Sequence, residues 1–262
     1  MGFRGPQVRS ANTHARVIAC IGGSTTVAGD TDDATYPAML QRYLNAHNGP
    51  ESLVVNCGIS GMDARSYGHP LHALFRRLQP DVVVEYNGVN DICWDLFSHW
   101  KSQLNQFERM ILSSAFLRWS IGDHFLPDDD VIRQDINDRV IRPLQSVAST
   151  LKERFVRFYV CSFICPDPTD APRSAYSLLD SNLRYHWEAD YMSYSKYVEI
   201  VNIYNKALKE AFDGHYIPLA ESDTFPVDQF FDICHMTPDG IATKARRLAE
   251  LLQDKLRRKR AS

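Results

Sequence analysis

The sequence predicts an α/β fold built on a parallel sheet. Three short apolar runs, residues 17–21, 53–57 and 81–86, each end at glycine or asparagine, and apolar residues at helical spacing lie between them. Short β-branched runs bounded by turn residues are typical of buried strands. Strands that alternate with helices favour βαβ units, because parallel strands need a long crossover connection.

Two helices are predicted between these strands. Apolar residues at helical spacing indicate the first, and Pro37 suits its first turn. The second ends before Pro80. The apolar positions are Met39, Leu40, Tyr43 and Leu44 in the first helix and Leu71, Leu74, Phe75 and Leu78 in the second.

The second half of the chain is predicted to complete the sheet. A fourth strand is expected near residues 155–161 and a short fifth strand at residues 216–219. A helix with apolar positions from Val198 to Leu208 lies between them. The last helix is expected to begin near Pro238, with Ile241, Ala245, Leu248 and Leu252 facing inward.

Two aromatic-rich segments interrupt this pattern. An aromatic helix is expected over residues 94–111, and a second helix, capped by Asp128, is expected to run through Val140 with a bend at Pro143. A tyrosine-rich segment spans residues 176–197. We therefore expect one domain over residues 1–262, with inserts at about 94–150 and 166–197. Core packing and a wall over a pocket are both open interpretations of the inserts.

Composition and charge exclude several partner classes. The formal net charge of −3 gives no reason to expect nucleic acid, and the basic run at residues 255–260 is typical of a solvated helix end. No stretch approaches the roughly 20 apolar residues of a membrane span. The polar start of the chain lacks the apolar segment of a signal peptide, which favours a cytoplasmic location. No feature indicates an oligomeric state.

The cysteines and histidines indicate neither a disulfide framework nor a metal. Cys20, Cys57 and Cys161 fall in or beside predicted strands, where buried free thiols are expected. Cys161 and Cys165 lack the second close pair of a zinc site. His69 and His72 lack carboxylate or thiolate partners at suitable spacing. We expect no metal and no cofactor.

Ser24 stands at the end of the first predicted strand, after Gly22 and Gly23. In open α/β sheets, ligands bind at the carboxyl ends of the strands. Three interpretations are open on this stretch alone: a turn capped by hydroxyls, a cradle for phosphate, or an exposed nucleophile. The chain lacks the Walker lysine and the G-x-G-x-x-G pattern that would favour phosphate binding.

Asp232 and His235 supply the groups that a serine nucleophile needs. They are three residues apart, just before Pro238, so one turn brings the carboxylate to the imidazole Nδ1. An acid in that position fixes the tautomer and leaves Nε2 free as a base. Gly61 and Asn90 also follow predicted strands. The backbone N–H groups of Ser24 and Gly61 and the side-chain amide of Asn90 are candidate oxyanion donors.

Together these motifs resemble the four blocks of the SGNH (GDSL-type) hydrolase family. Residues 22–24 (Gly-Gly-Ser), 56–61 (Asn-Cys-Gly-Ile-Ser-Gly), 88–91 (Gly-Val-Asn-Asp) and 232–235 (Asp-Ile-Cys-His) match them in order across nearly the whole chain. The resemblance implies a flavodoxin-like, three-layer α/β/α fold with five parallel strands. It also implies that Ser24 is the nucleophile, His235 the base and Asp232 its orienting acid. Ser24, Gly61 and Asn90 would form the oxyanion hole.

One position departs from the family pattern. Gly23 stands where the name-giving motif has aspartate, which is similar to a bacterial variant of the block. Thr25 or Thr26 is then expected to hold the loop. Asp91 is expected to be structural, bonding backbone in the same loop. The two inserts match no motif of the family.

The resemblance implies a serine esterase or deacylase that forms an acyl-enzyme on Ser24. Its partner would be a small-molecule or glycan-linked ester. An acyltransferase that passes the same acyl group to an alcohol or amine is an open alternative, since the sequence does not show which acceptor enters. A non-catalytic flavodoxin-like binding protein is a further alternative, but it leaves Asn90, Asp232 and His235 unexplained.

Overall fold

The computed structural model describes residues 15–46, 51–68, 78–167, 169, 172–223 and 225–258. Five parallel strands form one sheet in the order β2-β1-β3-β4-β5. The strands are β1 (Arg16–Gly22), β2 (Ser52–Asn56), β3 (Val82–Tyr86), β4 (Arg157–Cys161) and β5 (Tyr216–Ile217). The predicted five-stranded parallel sheet is therefore confirmed.

Ten α-helices connect or flank the strands in the described part of the chain. They are α1 (Ser24–Val27), α2 (Tyr36–Asn45), α3 (Phe97–Gln103), α4 (Gln106–Ser113), α5 (Ala115–Ile121), α6 (Asp129–Ile136), α7 (Arg142–Glu153), α8 (Arg173–Tyr185), α9 (Tyr194–Phe212) and α10 (Pro238–Arg258). Wider π-helical turns cover Asn90–Leu96 and Asn137–Ile141. Short 3-10 turns cover Asp32–Ala34, Ala64–Ser66, Gly122–Phe125, Asp213–His215 and Val227–Gln229.

The sheet has helices on both faces. Successive strand residues point to opposite sides, so Glu85 and Tyr86 at the end of β3 mark the two faces. The Tyr86 ring contacts Lys244 of α10, which packs beside α2 on one face. On the other face, Tyr204 of α9 donates a hydrogen bond to Asp91. Because both faces are covered, β1 and β3 are buried along most of their length, which explains why their sequences are largely apolar.

The register brings the carboxyl ends of β1 and β3 to the same edge. Cys20 pairs with Val84, and Gly22 pairs with Tyr86. The chain runs from β1 outward to β2 and then crosses back to β3 on the other side of β1. Such a reversal of strand order opens a crevice at the carboxyl edge. Ser24 follows β1 directly at this crevice.

Several predicted element boundaries are wrong. The fourth strand begins at Arg157 because Phe155 adopts a left-handed conformation (φ 60°) and is 95% exposed. The fifth strand ends at Ile217, since Pro218 has no N–H to donate to the sheet. The single aromatic helix expected over residues 94–111 is instead a π-helical turn, α3 and α4. Asn105 separates the last two, capping α4 through its side-chain oxygen.

Other predicted elements are confirmed or lie outside the described residues. Asp128 accepts a hydrogen bond from the Val131 N–H and caps α6, and α10 begins at Pro238. The bend expected at Pro143 is preceded by the π-helical turn at residues 137–141. The predicted helix at residues 71–78 and the His69/His72 pair fall outside the described residues, apart from Leu78. No described helix has the length and apolarity that crossing a membrane requires.

Candidate active site

Two glycines let the chain turn sharply between β1 and Ser24. Gly22 has a φ of +155°, and a Cβ there would lie 2.1 Å from the carbonyl oxygen of Tyr86. A Cβ on Gly23 would lie 2.2 Å from Nδ2 of Asn90. Neither position has room for a side chain, so the small residues read from the sequence are required here. Ser24 follows as the first residue of α1.

The side chains of Ser24, His235 and Asp232 form a continuous hydrogen-bonded relay. Ser24 Oγ lies 2.9 Å from His235 Nε2. His235 Nδ1 lies 2.6 Å from Asp232 Oδ2. Although Ser24 precedes His235 by 211 residues, the fold brings it to the Asp232–His235 pair in the order in which proton transfer from a serine requires them.

Hydrogen bonds within the turn that carries Asp232 and His235 fix its shape. Phe231 N–H donates to the carbonyl of His235 at 2.8 Å. Oδ1 of Asp232 accepts the backbone N–H groups of Cys234 at 2.8 Å and His235 at 2.6 Å. Burial favours the neutral form of Asp232 and would raise its pKa. The hydrogen bonds from the backbone and from the His235 ring outweigh this effect and hold the pKa of Asp232 below its usual value. The carboxylate is therefore ionised and fixed before substrate binds.

Asn90 joins the segment after β3 to the segment after β2. Its side chain is fully buried, and Nδ2 donates to the carbonyl of Met62 at 2.8 Å. Asn87 Nδ2 donates to the same carbonyl at 2.8 Å. Gly61, one residue before Met62, has a φ of +78°. Since an amide nitrogen carries two hydrogens, Asn90 keeps one donor beyond the bond to Met62. The structure therefore brings together the five residues that the sequence predicts for the site, which are Ser24, Gly61, Asn90, Asp232 and His235.

Thr26 holds the turn that carries Ser24, in which Gly23 takes the place of the aspartate expected from the sequence resemblance. Its Oγ1 donates to the carbonyl of Tyr86 at 3.2 Å. Its own carbonyl accepts from Asn56 Nδ2 at 2.9 Å. The hydroxyl of Thr25 has no partner among the described residues, so the loop-holding bonds belong to Thr26.

Two tryptophans, one from each insert, border the relay. Trp187 is 3% exposed and stacks on the His235 ring, with centroids 5.7 Å apart and planes at 29°. Trp94 lies 5.6 Å from Trp187 by ring centroids. Its Cζ3 is 3.1 Å from the position that a Cβ on Gly61 would take. We call Trp94 and Trp187 the tryptophan wall. Sequence reasoning missed Trp187, because nothing in its local pattern distinguishes stacking on a histidine from core packing.

The turn that carries Asp232 and His235 also contains a possible set of metal ligands. Ligand atoms of Asp232, Cys234 and His235 lie within 4.8 Å of one another. However, His235 Nδ1 and the Asp232 carboxylate are already joined by the 2.6 Å hydrogen bond. Burial raises the pKa of the Cys234 thiol, which disfavours the thiolate that a metal would need. The donor set fits the relay better than a metal.

A second buried group of polar residues lies beneath Asn90. The carboxylate of Asp91 accepts the backbone N–H of Ala64 at 2.7 Å and the hydroxyl of Tyr204 at 2.8 Å. Burial raises the pKa of Asp91 to about 7. Glu85 accepts from the Tyr67 hydroxyl at 3.1 Å, and burial raises its pKa as well. Asp91 therefore bonds the backbone that follows Gly61 rather than its own loop.

All six cysteines are free. Cys20, Cys93, Cys161 and Cys234 are buried, and burial raises the pKa of each thiol. Protonated, enclosed thiols react slowly, so the expectation of free thiols instead of disulfides is met.

Known structures share this fold. LAE5, an alpha/beta hydrolase from the metagenome of Lake Arreo, Spain, aligns with a TM-score of 0.55 at 14% identity, over 92% of this chain and 97% of its own. A lipase/acylhydrolase from Enterococcus faecalis aligns with a TM-score of 0.54 at 15% identity, over 92% and 96%. A carbohydrate acetylesterase family member from Sinorhizobium meliloti aligns at 0.52 and 14% identity, over 92% and 99%.

The likeness to these structures concerns the fold. No protein-family model matches the sequence, and no curated protein gives a significant match. The chain shares with these structures a three-layer α/β/α architecture, with five parallel strands and helices on both sides. The resemblance read from the four sequence blocks is thus confirmed at the level of the fold. Fold alone does not establish chemistry, which has to be argued from the site.

Proposed function

We propose that this protein is a serine hydrolase that cleaves carboxylic esters through an acyl-enzyme on Ser24. The observation that carries the proposal is the relay from Ser24 Oγ to His235 Nε2 at 2.9 Å and from His235 Nδ1 to Asp232 at 2.6 Å. A serine hydroxyl is a weak nucleophile until a neighbouring base accepts its proton. The relay supplies that base, already oriented by an acid.

The proposed reaction has two half-reactions. Ser24 Oγ attacks the ester carbonyl while His235 Nε2 takes the hydroxyl proton. His235 then gives that proton to the departing alcohol, and the acyl group stays on Ser24. Water, deprotonated by His235, attacks the acyl carbonyl; the bond to Ser24 Oγ breaks, His235 returns the proton to Oγ, and the acid is released. Asp232 keeps Nδ1 protonated and stabilises the imidazolium that forms in each step.

The negative oxygen that develops in each half-reaction needs donors already in place. The proposed donors are the backbone N–H groups of Ser24 and Gly61 and the second Nδ2 hydrogen of Asn90. The hydrogen bond from Asn90 to the Met62 carbonyl supports this role, because it fixes the amide next to the Gly61 segment. Donors that need no rearrangement are the most effective in stabilising an oxyanion.

The proposed substrate is an ester of a small-molecule or glycan alcohol. The tryptophan wall runs from the Gly61 side of the site to His235. In the proposed reaction it would therefore border both the ester carbonyl, held at Gly61, and the leaving group, protonated by His235. Trp94 remains 46% exposed, which leaves an aromatic surface for a substrate to contact. The Sinorhizobium meliloti structure of the same fold is described as a carbohydrate acetylesterase family member.

The acceptor of the acyl group is tested separately. Comparing the products with and without added alcohols and amines shows whether water or another acceptor completes the reaction.

Hydrolysis of p-nitrophenyl acetate by wild type and Ser24→Ala tests the nucleophile. We expect Ser24→Ala to lose at least about 10³-fold in kcat while remaining folded, since only binding and the oxyanion donors are left. Ser120→Ala is the matched control, because Ser120 is exposed on α5 and its hydroxyl bonds only the carbonyl of Phe116. Unchanged turnover in Ser24→Ala, or an equal loss in Ser120→Ala, would contradict the proposal.

A further inference from the structure

Lys244 is a buried cation that the proposed reaction does not use. It lies on α10 with 2% of its surface exposed. Its Nζ donates to the carbonyl of Thr25 at 3.2 Å and lies 4.3 Å from the ring centroids of both Tyr36 and Tyr86. Its nearest described polar partners are therefore one backbone carbonyl and two aromatic faces.

The groups that face the Lys244 ammonium are all neutral. Thiols approach from β1, β4 and the Asp232–His235 turn (Cys20, Cys161 and Cys234), and the two tyrosines approach from α2 and β3. Burial raises the pKa of every one of these groups, so none supplies a negative charge near neutral pH. No carboxylate of the described chain pairs with Lys244. Burying an ammonium without an anion is unfavourable, so packing alone does not explain a lysine here.

The carbonyl that Lys244 holds belongs to the residue directly after Ser24. Thr25 lies inside α1, a helix of only four residues, so a bond to its carbonyl constrains the whole nucleophile turn. Lys244 also follows His235 by nine residues, on the helix that continues the Asp232–His235 turn. One side chain therefore links the segment that carries the nucleophile to the segment that carries the base.

We propose that Lys244 is a positioning residue that sets the distance between Ser24 and His235 by holding the Thr25 carbonyl from α10. The proposal rests on the proposed function, in which Ser24 is the nucleophile. Loss of the ammonium would free α1 to shift relative to His235. A misplacement of about 1 Å costs roughly 100-fold in rate, whereas substrate contacts outside the turn would be unaffected.

Lys244→Met tests this proposal, because methionine keeps an unbranched chain but has no donor or charge. Lys255→Met is the matched control: Lys255 lies on the same helix and also donates to a backbone carbonyl, that of Gly214, at 3.2 Å. We expect Lys244→Met to lower kcat for p-nitrophenyl acetate by about 10- to 100-fold with KM within about twofold. The rate of Ser24 labelling by a fluorophosphonate should fall in parallel, and Lys255→Met should behave as wild type.

The labelling experiment separates the two proposals. Failure of the fluorophosphonate to label Ser24 in wild type would overturn the proposed function itself. Labelling of wild type and Lys244→Met at the same rate, with both folded by circular dichroism, would overturn only the role of Lys244. Lys244→Gln, which is shorter and uncharged, provides a second variant with the same expected loss. Unfolding of both variants would also overturn the proposal, because Lys244 would then support the whole fold rather than the turn.

Discussion

The two faces of the sheet support the Ser24–His235–Asp232 relay with different buried ionisable groups, a lysine on one face and carboxyl groups on the other. On one face, Lys244 holds the Thr25 carbonyl beside Ser24. On the other face, Asp91 holds the Ala64 N–H beyond Gly61, and Glu85 bonds Tyr67. Neither Lys244 nor Asp91 has an ion-pair partner in the described part of the chain. Each instead bonds backbone and contacts tyrosine, so each fixes a loop without joining the other across the sheet.

The buried Asp91 and Lys244 make the stability of the folded protein depend on pH. Burial raises the pKa of Asp91 to about 7 and lowers the pKa of Lys244 to about 7. Between pH 4 and 7, folded Asp91 keeps a proton that the unfolded chain loses, so its contribution to stability falls as pH rises. Between about pH 7 and 10, the unfolded chain keeps the Lys244 proton that the folded protein loses, so that contribution rises with pH. The cost of burying Asp91 is complete above pH 7 and that of Lys244 below pH 7, so their combined cost is largest near pH 7.

The largest expected effect lies at the relay, which both faces support. Asp232→Asn should lower kcat by about 10⁴-fold with little change in KM, because an amide favours the wrong tautomer of His235 while the pocket is unchanged. Steady-state kinetics with p-nitrophenyl acetate measure both parameters. Asp239→Asn, an exposed carboxylate at the start of α10, is the control and should match wild type. A loss confined to KM in Asp232→Asn would contradict the orienting role.

Asp91→Asn tests the acidic face. The variant lacks the Asp91 titration, so its free energy of unfolding relative to wild type should increase by about 3 kcal/mol from pH 4 to pH 7. Urea unfolding at several pH values measures this difference. Asp239→Asn is again a suitable control, because it removes an exposed carboxylate. If the free energies of unfolding of Asp91→Asn and wild type changed in parallel with pH, Asp91 would titrate as a solvent-exposed carboxyl group does. That result would contradict the raised pKa of Asp91.

Lys244→Met tests the cationic face and should show the opposite slope. Wild type gains stability between about pH 7 and 9, because folded Lys244 loses a proton that the unfolded chain keeps. The variant lacks this gain, so its free energy of unfolding relative to wild type should fall by about 2 kcal/mol over this range. Urea unfolding of both proteins, with Lys255→Met alongside, measures the change. We expect the free energy of unfolding relative to wild type to rise with pH for Asp91→Asn and to fall with pH for Lys244→Met. Changes in the same direction would contradict the proposed difference between the two faces.

Gly61→Ala should produce the smallest of these effects. A φ of +78° is strained for alanine by about 1–2 kcal/mol, and the new Cβ would meet Trp94 at 3.1 Å. We expect kcat/KM to fall by about 10-fold, since part of that strain moves the proposed oxyanion donor. Gly68→Ala is the control, because a Cβ there has no neighbour within 4 Å. Equal activities for the two variants would remove Gly61 from the proposed oxyanion hole.

Much of this architecture could be predicted from sequence because strand ends carry local signals. Apolar runs ending at Gly22, Gly58 and Asn87 predict the strands, and parallel pairing then brings their carboxyl ends together. The Asp232–His235 turn was also readable, since three residues and a following proline favour a closed turn. Boundaries were less predictable: Phe155 is apolar, yet its left-handed backbone places it outside β4.

Contacts between distant segments could not be predicted. Lys244 lies next to the inward positions Ile241 and Ala245, but nothing in the helical pattern shows that its ammonium reaches Thr25, 219 residues earlier. The stacking of Trp187 on His235 likewise depends on how the second insert packs over the sheet. Such contacts arise from tertiary packing, which hydrophobic periodicity does not encode.

The identity of the residue that a fluorophosphonate modifies tests most directly the proposal that His235 activates Ser24 as a nucleophile. The probe, applied to wild type, Ser24→Ala and His235→Ala, is followed by proteolysis and mass spectrometry of the labelled peptides. We expect a single adduct on Ser24 in wild type, none in Ser24→Ala, and greatly slowed labelling in His235→Ala, which lacks the base 2.9 Å from the hydroxyl. An adduct on another serine, or labelling of Ser24 at an undiminished rate without His235, would contradict the account.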